Sequence, residues 1–136
     1  MAAPRDFLTY LLAQGLVNYE VGIGSGTWGG ALYVMPPKPD QVVVVGEYPG
    51  LPPETKTGRE MLGLQVRIRG LQAEITVTSD KITTIARALD GQSPVRAGGT
   101  QYLAVLSQSS GPLFLGLDEQ GHRPEFSWNF IVWRSR

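Results

Sequence analysis

The stretch GLQVRIRG, residues 63–70, decides how the chain is read, because its alternation is unbroken. Leu64, Val66 and Ile68 point one way, and Gln65, Arg67 and Arg69 point the other. A period of two is the mark of a strand with one dry face and one wet face. The dry face requires a core. The wet face carries two guanidiniums and an amide, and could meet solvent, a partner subunit or a polyanion.

Upstream, QVVVVGEY (residues 41–48) is a run of β-branched residues and reads as a buried strand. PGLPPETKTGRE (49–60) joins the two strands as a long, Pro-rich connection. Before that, ALYVM (31–35) is a short strand closed by Pro36, Pro37 and Pro39. It follows the loop GIGSGTWGG (22–30), too rich in glycine to hold a helix or a flat strand at reasonable entropic cost. At the start, RDFLTYLLAQ (5–14) spaces Phe7, Leu8, Leu11 and Leu12 as one helical face, with Pro4 in the first turn and Gly15 as the stop.

Downstream, Ile75, Ile82, Ile85, Ala86 and Leu89 fit one helical face, and Gly91 fits a stop. The β-branched ITVT at 75–78 weakens the start, so Thr78, Ser79 or Asp80 is a candidate cap for a shorter helix inside 73–89. SPVRAGGT (93–100) reads as loop. QYLAVLSQ, PLFLGLDE and EFSWNFIVW read as three strands joined by short turns, an antiparallel meander. On the last strand Phe126, Trp128, Phe130 and Val132 share one face. The order of elements predicts one α+β domain, with two helices packed on a mostly antiparallel sheet of about five to six strands.

The 136 residues are enough for one real core, and a 42% hydrophobic fraction suits an ordinary globule. Twelve basic residues balance twelve acidic ones, which argues against a protein whose main task is to grip nucleic acid phosphates. Near-zero net charge is compatible with association, with partners or with further copies. There is no cysteine, which removes disulfides, thiolate metal sites and a thiol nucleophile. No apolar run is long enough for a membrane span, and the expected product is soluble and made in the cytoplasm.

No catalytic constellation emerges. Gly24, Gly26 and Gly29 match G-x-G-x-x-G, but a strand broken by prolines follows where the dinucleotide motif needs a helix. The one histidine, His122, sits in a polar turn without a second imidazole or a thiolate, so neither a metal nor a general base is assigned to it. Asp118 and Glu119 are adjacent on a strand end and point to opposite faces, which suits a charged turn better than an acid/base pair. No cofactor is expected. Trp128 is in phase with the core aromatics, whereas Trp28 lies among glycines, where an interface anchor and simple loop packing both remain open.

Several stretches occur together in an order that carries more weight than any one of them. These are FLTYLLAQGLV, a Gly/Pro-rich connection into QVRIRG, a helix ending ALDG, and LGLDEQGHRPEFSWNFIVW. From Asp6 to Trp133 the chain resembles the minor capsid or tail-terminator proteins of long-tailed bacteriophages. That resemblance implies a structural virion protein in the tail or neck, made in the host cytoplasm and without enzymatic activity. It implies a homo-oligomer, a hexameric ring at the head-proximal end of the tail tube. The ring would stop growth of the major tail tube protein and offer a surface to the head-tail connector or stopper protein. DNA would pass through its lumen without sequence-specific binding. Under it, Trp28, Gln65, Arg67 and Arg69 become candidate subunit or partner contacts. A neck or head-completion protein is the alternative from the same setting, and a small ligand-binding domain using the loop between Gly22 and Gly30 is the alternative from another class.

Overall fold

A computed structural model describes residues 3–49, 58–90, 95–97 and 100–135. Helix α1 (Ala3–Ala13) precedes strands β1 (Tyr19–Glu20), β2 (Gly29–Leu32), β3 (Val42–Pro49) and β4 (Arg59–Arg69). Helix α2 (Ile75–Leu89) then leads to β5 (Val95–Ala97), β6 (Thr100–Ser107), β7 (Leu113–Leu117) and β8 (Pro124–Ser135). All eight strands form one sheet, in the order β1-β2-β3-β4-β8-β6-β5 with β7 also on β8. The fold is α+β with a mostly antiparallel sheet, as the alternation predicts; two of the pairings, β1 to β2 and β2 to β3, are parallel.

The opening stretch lies at the centre of this sheet. Val66 pairs with Val45 on one side and Trp128 on the other, and Ile68 likewise with Val43 and Phe126. Leu64 pairs with Phe130 and Leu62 with Val132. These rows form the dry face, and both helices close over it. Phe7, Leu8 and Leu11 of α1 and Ile82, Ile85 and Leu89 of α2 join the same buried cluster.

Three details differ from the sequence reading. First, α2 begins a turn earlier than a cap at Thr78, Ser79 or Asp80 would allow. Ala73 takes a positive φ of 67° and Glu74 is the cap residue, so the chain turns sharply before the ITVT run. Thr78 is buried inside the helix and returns its hydroxyl to the Glu74 carbonyl at 2.7 Å, while Ile75 points outward. Second, the expected loop at 93–100 contains β5. Third, the meander is not formed. β6 pairs with the second half of β8 and β7 with its first half, so they lie end to end along one edge of β8. Residues 108–112 bulge between them, and β8 is long enough for two partners, a property of register that strand counting does not reveal. The proposed stop Gly91 and residues 50–57 of the Pro-rich connection lie outside the described residues.

Candidate functional site

The wet face of β4 is divided between internal and external work. Arg69 is buried, and its Nε donates to the Asp40 carbonyl at 3.1 Å and Nη2 to the Pro39 carbonyl at 2.6 Å. Arg123 stands beside it. Its Nη1 donates to the Pro37 carbonyl at 3.0 Å and to Asp40 Oδ1 at 2.8 Å, and its Nε and Nη2 donate to Asp118 Oδ2 at 2.9 and 2.6 Å. Parallel strands need a crossover, and the one from β2 to β3 is this proline segment. The proline carbonyls have no strand partner, and two guanidiniums supply the donors they need. Burial and the neighbouring Arg123 both lower the proton affinity of Arg69, while Asp118, Glu125 and Asp40 oppose them. Hydrogen bonds from Arg123 pull the Asp118 carboxyl down to about 2.

Arg67 and Gln65 remain partly exposed. Arg67 Nη2 donates to the Tyr33 carbonyl at 2.9 Å, and both residues line a shallow cavity of about 400 Å³ with Tyr33, Gly46, Tyr48 and Asn129. The Tyr48 ring lies over Gly63, where an added Cβ would meet it at 2.1 Å, and its hydroxyl bonds Gln108 at the far side of β8. Aromatic cover of a strand glycine replaces the missing side chain. Asn129 Oδ1 is buried there without a partner. The cavity combines amide, guanidinium, phenol and carboxylate groups, and the Tyr33 hydroxyl donates to Glu47 Oε1 at 3.3 Å. Among the described residues, no three His, Asp or Glu side chains come close enough to hold a metal.

Trp28 does not protrude. It is 8% exposed and belongs to the core, with Lys81 Nζ 5.5 Å from the ring centroid. Asn18 closes the loop base by exchanging bonds with it, accepting the Trp28 N–H on Oδ1 at 2.9 Å and donating its own N–H to the Trp28 carbonyl at 2.9 Å. Gly24, Gly26 and Gly29 pack against Tyr19, and strand β2 rather than a helix follows the loop. His122 is exposed in the turn before β8 with a φ of 50°.

Sequence reasoning read Asp118 as part of a charged turn but passed over its pairing with Arg123, and passed over Asp6 altogether. Asp118 and Arg123 are five residues apart across one turn, a spacing that could have signalled their pairing. Buried Asp6 accepts a bond from the Tyr102 hydroxyl at 2.5 Å, and Tyr102 also meets Arg134, which pairs with Glu60. Burial, then the Asp6 contact, pushes the Tyr102 phenol up. Asp6 had no signal of its own, since an acid in a first helical turn is ordinary.

Buried polar groups in this chain hold together an α+β fold, while Gln65 and Arg67 on the open face stay partly exposed and Ile23, Val34 and Leu113 at the edges are exposed. Residues 19–132 match the family described as bacteriophage tail terminator protein, a span running from β1 into β8, and the chain belongs to that family. It is therefore a structural component of a phage tail. Comparison with curated proteins gives no match. Among the described residues, no helix is long and apolar enough to cross a membrane.

Proposed function

We propose that this chain closes the head-proximal end of the tail tube as a hexameric ring, stops addition of the major tail tube protein, and presents its other side to the head-tail connector. The single observation that carries this reading is the family match across nearly the whole sheet. A ring of identical chains needs no reacting group, and the cavity at Gln65 and Arg67 has the amide and guanidinium surface of a contact site. Gln65 and Arg67 touch a neighbouring copy or partner, while Arg69 and Trp28 act behind them by fixing the crossover and the loop base. DNA passes through the lumen without base readout, in keeping with the balanced charge.

The test is assembly. Tail tube protein polymerised with this chain should give tubes capped at one end, with rings of about six copies in negative stain. Tubes that grow to the same length with and without the chain would overturn the capping role. Arg67→Glu combined with Gln65→Glu should weaken ring formation without moving the melting transition; normal rings from that variant would remove these two residues from the interface.

A further inference from the structure

Strand β7 is the least protected element of the sheet. Leu113, Phe114, Leu115 and Leu117 are 59, 48, 49 and 49% exposed, and the strand LFLGL contains no charge. Among the described residues its only strand neighbour is β8, so its other edge has no described strand beside it, and its register shifts between Phe114 and Gly116. Pairing places Leu113 opposite Ser127 and Phe114 opposite Phe126, on opposite faces of the sheet. A partner lying on either face would leave half of these side chains wet. Only a partner arriving edge-on covers both faces and also completes the ladder.

The other end of the same sheet has the matching properties. β1 covers only Gly29 and Gly30 of β2, so Ala31 and Leu32 have no described strand beyond them, although the Leu32 carbonyl already accepts the Val34 N–H at 2.7 Å. Around that edge Ile23, Val34 and Tyr33 are 80, 73 and 48% exposed. Each end exposes apolar surface on the order of 400 Å², in the range that marks contact sites and about half of one partner's share of a standard interface. With twelve charges of each sign, two copies meet without net repulsion.

We propose that β7 of one copy docks edge-on against Ile23 and residues 31–34 of the next copy, joining sheets head to tail. This rests on the ring reading and specifies its interface. Two unlike surfaces at opposite ends of one protomer are what a closed cyclic assembly requires, whereas a two-fold dimer uses one surface twice.

The test uses two variants of the full chain, Leu113→Lys with Leu115→Lys, and Ile23→Asp with Val34→Asp. All four positions are about half exposed or more, and circular dichroism melts check that each variant folds. Light scattering and crosslinking over rising concentration should show the wild type associating, and each variant alone monomeric at concentrations at least roughly tenfold higher. An equal mixture should form a two-chain species, because each variant retains one intact surface. If the β7 variant assembles like the wild type, or the mixture gives no two-chain species, the head-to-tail pairing is wrong while the ring reading survives. A wild type that stays monomeric throughout overturns the ring reading itself. As a measurement independent of substitution, amides of residues 113–117 should gain hydrogen-exchange protection on assembly; unchanged exchange in the assembled protein would also refute the proposal.

Discussion

Asp118 and Arg123 show how a turn becomes a structural joint. The Asp118 carboxyl titrates near 2 in the folded chain and near 4 when unfolded, so its pairing stabilises the fold above the unfolded value. That contribution, about 2 kcal/mol, should disappear as pH falls from about 4 towards 2. Urea denaturation along this range, with the Asp118 carboxyl followed by NMR, measures both the slope and the midpoint. Arg123→Met should cost about 3 kcal/mol in the same denaturation assay, because it strands the Asp118 carboxylate and the Pro37 carbonyl. At this scale the two arginines of the opening stretch have separate fates. Their alternation with Val66 and Ile68 was visible in the sequence, but it is the same for both. Only the proline crossover, which lies over Arg69 and stops short of covering Arg67, distinguishes them.

Among the elements, α2 makes a close approach to the chain just after β4, in addition to burying Ile82, Ile85 and Leu89 against the sheet. A Cβ on Gly70 would fall 1.8 Å from Thr78 Oγ1 and 2.9 Å from its Cβ, and that hydroxyl is already tied to Glu74. Gly70→Ala should therefore destabilise the protein by roughly 1–3 kcal/mol, with partial recovery when Thr78→Ala is added, measured as a double-mutant cycle in urea. Leu64→Ala, at the centre of β4, should cost about 2–5 kcal/mol in the same assay, since Leu64 has no exposed surface and belongs to the buried cluster that both helices join. Helix α1, β3, β4 and β8 were legible because hydrophobic periodicity is a local signal. β1 and β5 were not, being two and three residues long with no period to show. The exact start of α2 within 73–89 was not legible because β-branched residues argue against a helix locally, whereas the burial of Thr78, Ile82 and Ile85 holds the turn in place.

For the molecule as a whole, the pattern of residues 41–48, 61–69 and 125–133 was enough to predict a mostly antiparallel sheet with one dry face, and the spacing within 5–14 and 73–89 two helices to cover it. Those properties follow from side-chain order along single segments, where polar and apolar alternation has only one low-energy solution. Pairing between segments depends on register and on distances through space, and these belong to the folded chain alone. Tertiary structure placed β6 and β7 end to end on β8, laid the proline crossover over Arg69, drew Trp28 into the core, and left apolar edges at opposite ends of the sheet. A tryptophan among glycines and a run of leucines look equally sticky in sequence. Burial distinguishes them, because whether a side chain meets its own core or another molecule depends on what the rest of the chain brings to it.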